Sequence, residues 1–333
     1  MNTCHILKKK LVNDDINKMS KLDIKSTVPL FGKNTVIYDF ECATNGSLGH
    51  QPYFNKMIKL YKDQIDDEKT PCHYINSLDV AKDTFEYIMN IIIKQCDMYK
   101  LGKETDNKKL KNEFKDSLYL CGFNNANYDL YFFIRELLKS KYSERFISKT
   151  IFKGNTLIFF MLVDKESGKV ALRSHDICQI LMSSLDKATQ SFLNKKCKGI
   201  FPHKLINKVF FNDPNILTKT LKLTKDDFYK SKDIEGNDDL DERLKDINMN
   251  EYNIKDHLYE YAENDTKITV ELYRALNEIS MKYYKCDVLR FLTIGQMCHY
   301  GFLLNLPEEL LYKKYNEQKN KKQQLQINYF YVI

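Results

Sequence analysis

The sequence predicts an α/β fold in which a mixed β-sheet is flanked by helices. Three observations lead to this class: short apolar strands alternate with helical patterns, one pair of strands forms a hairpin pattern, and the longest helical pattern follows the strands. With 333 residues, 43% of them hydrophobic, the chain can bury a sizeable core. No apolar run approaches the roughly 20 residues that a membrane-spanning helix requires.

Strand patterns occur at five places in the chain. NTVIYDFE begins at Asn34, a second strand is predicted from Phe54 to Tyr61, and SLYLCGFN begins at Ser117. The residues between the first two strands are rich in turn formers, so we expect a loop there. TLIFFMLVD and KVALRSHDI, joined by KESG, form the predicted hairpin.

Three segments carry helical periodicity. In SLDVAKDTFEYIMNIIIKQ, apolar residues recur every three or four positions and Ser77 is the expected N-cap. YDLYFFIRELLKS is a second amphipathic helix, and residues 254–284 form the longest one. The charged stretch KLGKETDNKKLKN is predicted to be a solvated loop. Residues 212–250 are predicted to be a loop-rich insertion with at most short helices.

Composition narrows the class of function only slightly. The formal net charge of +7 leans toward polyanionic partners, although the 52 basic residues are spread along the chain and face 45 acidic ones. The nine cysteines contain no C-x-x-C pair and the seven histidines no H-x3-H pair, so neither a disulfide framework nor a zinc site is indicated. We therefore expect reduced thiols in an intracellular protein without a membrane partner.

Two carboxylates interrupt the first predicted strand. Asp39 and Glu41 are two residues apart, so both project from one face of the strand. Burying an isolated carboxylate costs on the order of several kcal/mol or more. The pair is therefore expected to have a counter-charge, which could be Lys, Arg or a metal. A strand end with two solvated acids is the plain alternative for this short pattern on its own.

Two further segments place acids toward the core. Asp129 lies where a strand passes into a helix, a position where an ordinary capping Asp is the alternative. Tyr261 and Asp265 are one helical turn apart and share a face with Ile268 and Leu272, so we expect them to point inward.

Four acids on three separate segments are expected to meet around cations. Carboxylate ligands without nearby His or Cys favour Mg²⁺ or Mn²⁺. Two such ions, about 3.5 to 4 Å apart, form the usual centre for phosphodiester hydrolysis. Tyr261 is then placed to orient the attacking water through its hydroxyl.

The order and spacing of these residues resemble the three exonuclease motifs of family B DNA polymerases. The motifs are D-x-E at Asp39, NANYD ending at Asp129, and YAEND beginning at Tyr261. The segment HDICQILMSSLDKATQSFLNKKCKGIFPHKL is similar to one that the protein-primed members, from linear plasmids, phages and eukaryotic DNA viruses, carry between the second and third motifs. Within it, Lys198 of KGIF matches an extra catalytic lysine. The resemblance covers roughly residues 34–305.

This resemblance implies a ribonuclease H-like fold that proofreads the 3′ ends of single-stranded DNA during DNA replication. It implies a role for each matching residue: metal ligands at Asp39, Glu41, Asp129 and Asp265, a water-orienting tyrosine at Tyr261, a catalytic lysine at Lys198, and contacts to the frayed primer strand at Asn125 and Tyr128. Two ions of Mg²⁺ or Mn²⁺ are the implied cofactors. A terminal protein primer is a further partner that the resemblance allows. The sequence leaves three host elements open: a mitochondrial plasmid, an integrated virus or a transposon.

The chain departs from the family pattern in two places. Protein-primed members have a Ser/Thr-Leu pair after the aspartate that matches Asp176, where this chain has Ile177 and Cys178. After Leu304 no polymerase motif follows, so the nucleotidyl-transfer site is expected to be missing. We therefore predict an N-terminal arm over 1–30, an exonuclease domain over 31–285, and the start of a truncated polymerase region over 286–333.

Two other functions remain open at the level of sequence. The first is a single-stranded-DNA-binding remnant whose catalysis has decayed, against which the four retained acids count. The second is a stand-alone exonuclease of the DEDD type, acting on DNA or RNA.

Overall fold

The computed structural model describes residues 30–46, 49–61, 72–75, 79–154, 156–195, 199–228 and 244–304. Within these ranges a seven-stranded mixed sheet forms the centre of the molecule. Its strands, in chain order, are β1 (Asn34–Asn45), β2 (Gly49–Tyr61), β3 (Cys72–Ile75), β4 (Leu118–Gly122), β5 (Phe146–Lys153), β6 (Thr156–Asp164) and β7 (Val170–Asp176).

The strand order in the sheet is β3-β2-β1-β4-β7-β6-β5. The first three strands form an antiparallel meander, β4 runs parallel to β1, and β7 runs parallel to β4. The last two strands, β6 and β5, add an antiparallel hairpin at the other edge. The C-terminal ends of β1, β4 and β7 therefore lie at one end of the sheet.

Helices cover both faces of this sheet. In chain order they are α1 (Val80–Glu104), α2 (Lys108–Glu113), α3 (Asp129–Lys139), α4 (Tyr142–Arg145), α5 (Cys178–Leu181), α6 (Leu185–Leu193), α7 (His203–Val209), α8 (Ile254–Tyr284) and α9 (Ile294–Leu304). Val36 and Phe40 of β1 pack with α1 and α3, whereas Ile37 packs with α8 on the opposite face. The predicted mixed α/β class is confirmed, and the layering is consistent with a ribonuclease H-like fold.

Most of the predicted elements are present. The NTVIYDFE strand is β1, SLYLCGFN contains β4, and the predicted hairpin is β6 and β7. The three helical patterns correspond to α1, α3 and α8, the last over Ile254–Tyr284. Asp79 is the N-cap of α1, and the predicted cap Ser77 lies outside the described residues. Strand β5 was not predicted.

The loop predicted between the first two strands is wrong for most of its length. β1 extends to Asn45, and β2 begins at Gly49 rather than Phe54. Continuous antiparallel pairing, from Asn34 opposite Tyr61 to Asn45 opposite Gly49, explains the difference. Backbone pairing to a neighbouring strand outweighs the weak turn preference of the local residues.

The solvated loop predicted for KLGKETDNKKLKN is also wrong. α1 continues to Glu104, and α2 occupies Lys108–Glu113. The packing of α2 explains the glycine within α1. A Cβ at Gly102 would lie 2.7 Å from the backbone nitrogen of Lys111, which is too close. The close docking of α2 on the end of α1 therefore requires glycine, although glycine lowers the local helix propensity.

The structure describes part of the predicted loop-rich insertion, residues 212–250, and its status as an insertion stays a prediction. It holds two short 3-10 helices, Pro214–Thr218 and Lys225–Asp227, and the two-residue strand β8 (Thr220–Leu221), which pairs with β9 (Tyr252–Asn253). Residues 229–243 lie outside the description. No helix among the described residues has the length and apolar character needed to cross a bilayer.

A buried histidine joins three parts of the fold. The Nε2 atom of His175, on β7, donates to the carbonyl oxygen of Phe291 at 2.7 Å, and its Nδ1 atom lies 2.8 Å from the hydroxyl of Tyr273 on α8. Burial lowers the pKa of His175 to about 4. The imidazole is therefore neutral in the folded protein at neutral pH.

This lowered pKa makes stability depend on pH. Because the unfolded chain protonates His175 near pH 6.5 and the folded chain only near pH 4, stability is full above pH 6.5 and falls as the pH drops toward 4. The contribution is about 3 kcal/mol over this window. Urea denaturation between pH 4 and 7 should show a flatter pH dependence for His175→Gln than for the wild type. Identical slopes would contradict this prediction.

Candidate active site

The acidic pair of β1 lies on the face that α8 covers. In the register of the sheet, Asp39 is opposite Lys56 and Glu41 is opposite Phe54. Glu41 is 6% exposed, whereas Asp39 is half-buried. The register shifts between Glu41 and Cys42, so the strand carries an irregularity directly beside the pair. Such bulges redirect side chains, and they are common next to active sites.

Asp129 reaches this pair from α3. It is the first residue of that helix, it is buried, and its carboxylate accepts a hydrogen bond from the backbone N–H of Phe40 on β1. Burial raises the pKa of Asp129 well above its usual value, and the neighbouring charge of Asp39 raises it further. The Oδ1 atom of Asp129 is buried without a hydrogen-bond partner. A cation near this oxygen would offset both the repulsion from Asp39 and the missing hydrogen bond.

Tyr261 and Asp265 reach the same place from α8. Both are buried, and the hydroxyl of Tyr261 donates to the carboxylate of Asp265 one turn further along the helix. Burial raises the pKa of Tyr261 well above its usual value. The nearby charges of Glu41, Asp265 and Asp39 raise this pKa further. These electrostatic contacts show that the third predicted segment lies beside the first.

The structure thus brings three separated segments to one acidic centre. No group of three or more His, Cys, Asp or Glu side chains in the described ranges is arranged to enclose a metal ion. The available donors are carboxylate oxygens, which suit Mg²⁺ or Mn²⁺. With the orphaned oxygen of Asp129, the residues fit a hard divalent cation.

The two residues matched to DNA contacts differ in exposure. Tyr128 is half-buried at the rim of the acidic centre. Its hydroxyl is hydrogen-bonded to Nδ1 of His50, and the centroids of the two rings lie 4.6 Å apart. Asn125 is fully buried, and its Nδ2 atom donates to the carbonyl oxygen of His175 at 3.2 Å. In this conformation Asn125 orders the backbone, so its contact with DNA stays a prediction.

Aromatic residues enclose the ring of Tyr261. Phe201 stacks on it with centroids 5.6 Å apart, and His203 makes an edge contact at 5.2 Å. A Cβ on Gly199 would lie 2.9 Å from Cδ2 of Tyr261, so the backbone there touches the ring directly. Lys198 lies outside the described residues.

Lys56 is buried beside the acids, and no role was predicted for it from the sequence. Its side chain is fully buried on β2, opposite Asp39, and its Nζ atom lies 3.6 Å from Oε2 of Glu263 on α8. A lysine within the FNKMIKLY strand, where apolar residues also flank Asn55 and Lys59, was the available signal. Its register relative to Asp39 could not be known before the strands were paired.

Comparison with known families identifies the family to which the chain belongs. The family described as DNA polymerase type B, organellar and viral, matches residues 110–330. The chain belongs to this family of DNA polymerases. The predicted resemblance to family B polymerases is therefore confirmed at the level of the family.

The chain is similar to several solved structures, two of which are complexes of one polymerase. They are phi29 DNA polymerase in a post-translocation binary complex with primer-template DNA, at 14% identity, and phi29 DNA polymerase with single-stranded DNA, at 13% identity. Each has a TM-score of 0.45 and covers 85% of this chain. The chain spans only 36% of the length of those polymerase chains. No curated protein shows significant similarity to it.

The repulsion between Asp129 and Asp39 predicts a stabilising substitution. Asp129→Asn removes one buried charge while its amide oxygen can still accept from Phe40. We expect the metal-free protein to gain about 1 to 2 kcal/mol in unfolding free energy. Chemical denaturation in EDTA measures this. A clear loss of stability would contradict the placement of the two acids.

The position of Lys56 predicts a destabilising substitution. Lys56→Met removes a buried cation beside Asp39 and Glu263, so the metal-free protein should lose about 2 kcal/mol or more. Mn²⁺ should restore part of this loss, because it supplies the missing positive charge. Lys59→Met is the matched control, since Lys59 is a buried lysine of the same strand opposite Val36. Equal rescue of both variants by Mn²⁺ would contradict the prediction.

Proposed function

We propose that this chain is the exonuclease portion of a protein-primed family B DNA polymerase, which removes nucleotides from the 3′ end of single-stranded DNA. The observation that carries the proposal is that Asp129 of α3 lies beside Asp39, while Tyr261 of α8, which is hydrogen-bonded to Asp265, lies near both acids of β1. Membership of the polymerase family supports a role in DNA replication. The +7 net charge favours a polyanionic substrate.

The carboxylates are proposed to hold the catalytic ions. Asp39, Glu41, Asp129 and Asp265 are the residues that would bind them. When bound, two divalent ions activate a water molecule and stabilise the leaving oxygen of the phosphodiester. Burial of these acids strengthens their attraction for a cation, because less water screens the charges.

Tyr261 is proposed to orient the attacking water. Its raised pKa keeps the hydroxyl protonated at working pH, so the group can donate one hydrogen bond and accept another. The ring contacts with Phe201 and His203 hold the hydroxyl in place. By the family resemblance, Lys198 supplies a further positive charge to the reaction.

The substrate is proposed to approach past Tyr128. This residue is half-buried at the rim, and an aromatic ring in such a place can stack on an unpaired base. Phe132 contacts the ring of Tyr128 edge to face at 5.7 Å, and Phe40 supports Phe132 at 5.3 Å. The ring thus rests on buried aromatic residues, which limits its freedom before a base arrives.

A second candidate function is a DNA-binding remnant without catalysis. The lack of a closed metal cage among the described residues favours this reading. The orphaned oxygen of Asp129 and the raised pKa of its carboxyl count against it, because a decayed site has no reason to retain a destabilising charge.

The proposal predicts metal-dependent shortening of single-stranded DNA. A 5′-labelled oligonucleotide with Mg²⁺ should give a ladder of products that shorten from the 3′ end. Asp39→Ala should lower the rate by roughly 10³-fold, since loss of a ligand costs several kcal/mol of transition-state stabilisation. Asp83→Ala, which removes an exposed acid of α1, should leave the rate unchanged.

The same assay separates the competing functions. Full activity of Asp39→Ala would show that the site is wrongly assigned. Binding of DNA without cleavage in either Mg²⁺ or Mn²⁺ would favour the decayed remnant. Equal degradation of matched DNA and RNA oligonucleotides would favour a stand-alone exonuclease over a polymerase-derived one.

A further inference from the structure

Asp176 is a buried carboxylate at the end of β7, next to the acidic centre. Its Oδ1 atom accepts hydrogen bonds from the backbone N–H groups of Asn124 at 2.8 Å and Cys178 at 3.0 Å. Its Oδ2 atom accepts from the backbone N–H of Ala126 at 3.0 Å. Three backbone donors thus converge on one side chain that is 5% exposed.

Two of these donors belong to the turn that leads from β4 into α3. In this turn Asn124 has a left-handed φ of 62°, a conformation that asparagine adopts more readily than most residues. The side chain of Asn125 fastens the same turn to the carbonyl oxygen of His175. Successive residues of the turn are therefore attached to the end of β7.

The turn determines where Asp129 lies. Only two residues separate Ala126 from Asp129, and the 3-10 helix Asn125–Asn127 fills most of that distance. A shift of the turn would therefore move Asp129 relative to the N–H of Phe40, which binds its carboxylate. A misplacement of about 1 Å in a catalytic centre can lower a rate by about a hundredfold.

Burial raises the pKa of Asp176 to about 6, although its three hydrogen bonds act in the opposite direction. Keeping this carboxylate ionised therefore costs stability, and the position retains an acid nonetheless. Its carboxylate has two acceptor oxygens that serve three donors, a geometry that a neutral amide cannot reproduce.

We propose that Asp176 is a positioning residue of the exonuclease centre, fixing Asp129 against β1 by binding the backbone of the 124–126 turn. This inference rests on the proposed function. The three hydrogen bonds described above all come from backbone N–H groups, so Asp176 holds Asp129 through the turn, and its nearby charge also raises the pKa of Asp129.

The test compares Asp176→Asn with a matched control. Asn keeps the shape of the side chain, but its NH₂ group would face an N–H donor of the turn or of Cys178. Asp164→Asn is the control: Asp164 is a fully buried acid that accepts from Arg145 and Ser167 near the other end of β7, about 20 Å away by strand rise. Both substitutions should lower the thermal midpoint of the whole chain.

Two measurements distinguish positioning from general destabilisation. The first is the shift of the thermal midpoint with added Mn²⁺, in the absence of DNA. The second is kcat and KM for a single-stranded oligonucleotide. For Asp176→Asn we expect a smaller Mn²⁺ shift and a kcat reduced about tenfold or more, with KM within about twofold of the wild type. For Asp164→Asn we expect an unchanged Mn²⁺ shift and unchanged kinetics.

Identical Mn²⁺ shifts and kcat values for the two folded variants would overturn the proposal. If Asp176→Asn does not fold, Asp176→Ser tests the same contacts, because its smaller side chain retains one acceptor and cannot overpack. The result expected for Asp176→Ser is the same loss of Mn²⁺ response and kcat. A wild type that neither cleaves DNA nor responds to Mn²⁺ would instead show failure of the proposed function itself.

Discussion

Repulsion between the buried carboxylate of Asp129 and the half-buried carboxylate of Asp39 is the constraint on which the arrangement of this centre depends. Asp129 lies close enough to Asp39 for their charges to raise its pKa, and one of its oxygens has no hydrogen-bond partner. Such a placement is unfavourable for folding alone. The fold tolerates it because a large hydrophobic core on both faces of the sheet stabilises the elements that carry the acids.

The topology explains how distant segments meet. β1 and β4 are parallel neighbours, so the chain that leaves the end of β4 enters α3 beside the end of β1. The 31-residue helix α8 crosses the other face of the same strands and adds Tyr261 and Asp265. Lys56, on β2 opposite Asp39, forms an ion pair with Glu263 of this helix and places a positive charge beside the acids. The centre is therefore assembled by rigid elements, with the turn after β4 as its irregular part.

Much of this arrangement was predictable because periodicity reports burial. The 3.6-residue apolar period of α8 identified the face that carries Tyr261 and Asp265. The alternation of side chains along a strand placed Asp39 and Glu41 on one face of β1. Contacts that depend on pairing could not be found. The helix through Gly102 depends on the docking of α2, the early start of β2 depends on its pairing with β1, and the exposed edge strand β5 carries little apolar signal.

The site shows the same division. The acids of β1, α3 and α8 were predicted from spacing and family resemblance, and their role as metal ligands stays a prediction. The structure shows that Asp129 lies beside Asp39 and that Tyr261 lies near Asp39 and Glu41. The burial of Asn125 and the register of Lys56 with Asp39 follow from tertiary packing, so neither could be read from local sequence. A side chain that binds backbone N–H groups, as Asp176 does, leaves no periodic trace in the sequence.

The central claim is that these acids form a binding site for divalent cations. Electron paramagnetic resonance of Mn²⁺ added to the wild-type chain without DNA measures free and bound metal directly. The account predicts that up to two ions bind per chain and that binding weakens strongly when Asp39 is replaced by Asn. A spectrum that shows only free Mn²⁺ at millimolar concentration, with folded protein, would contradict the account.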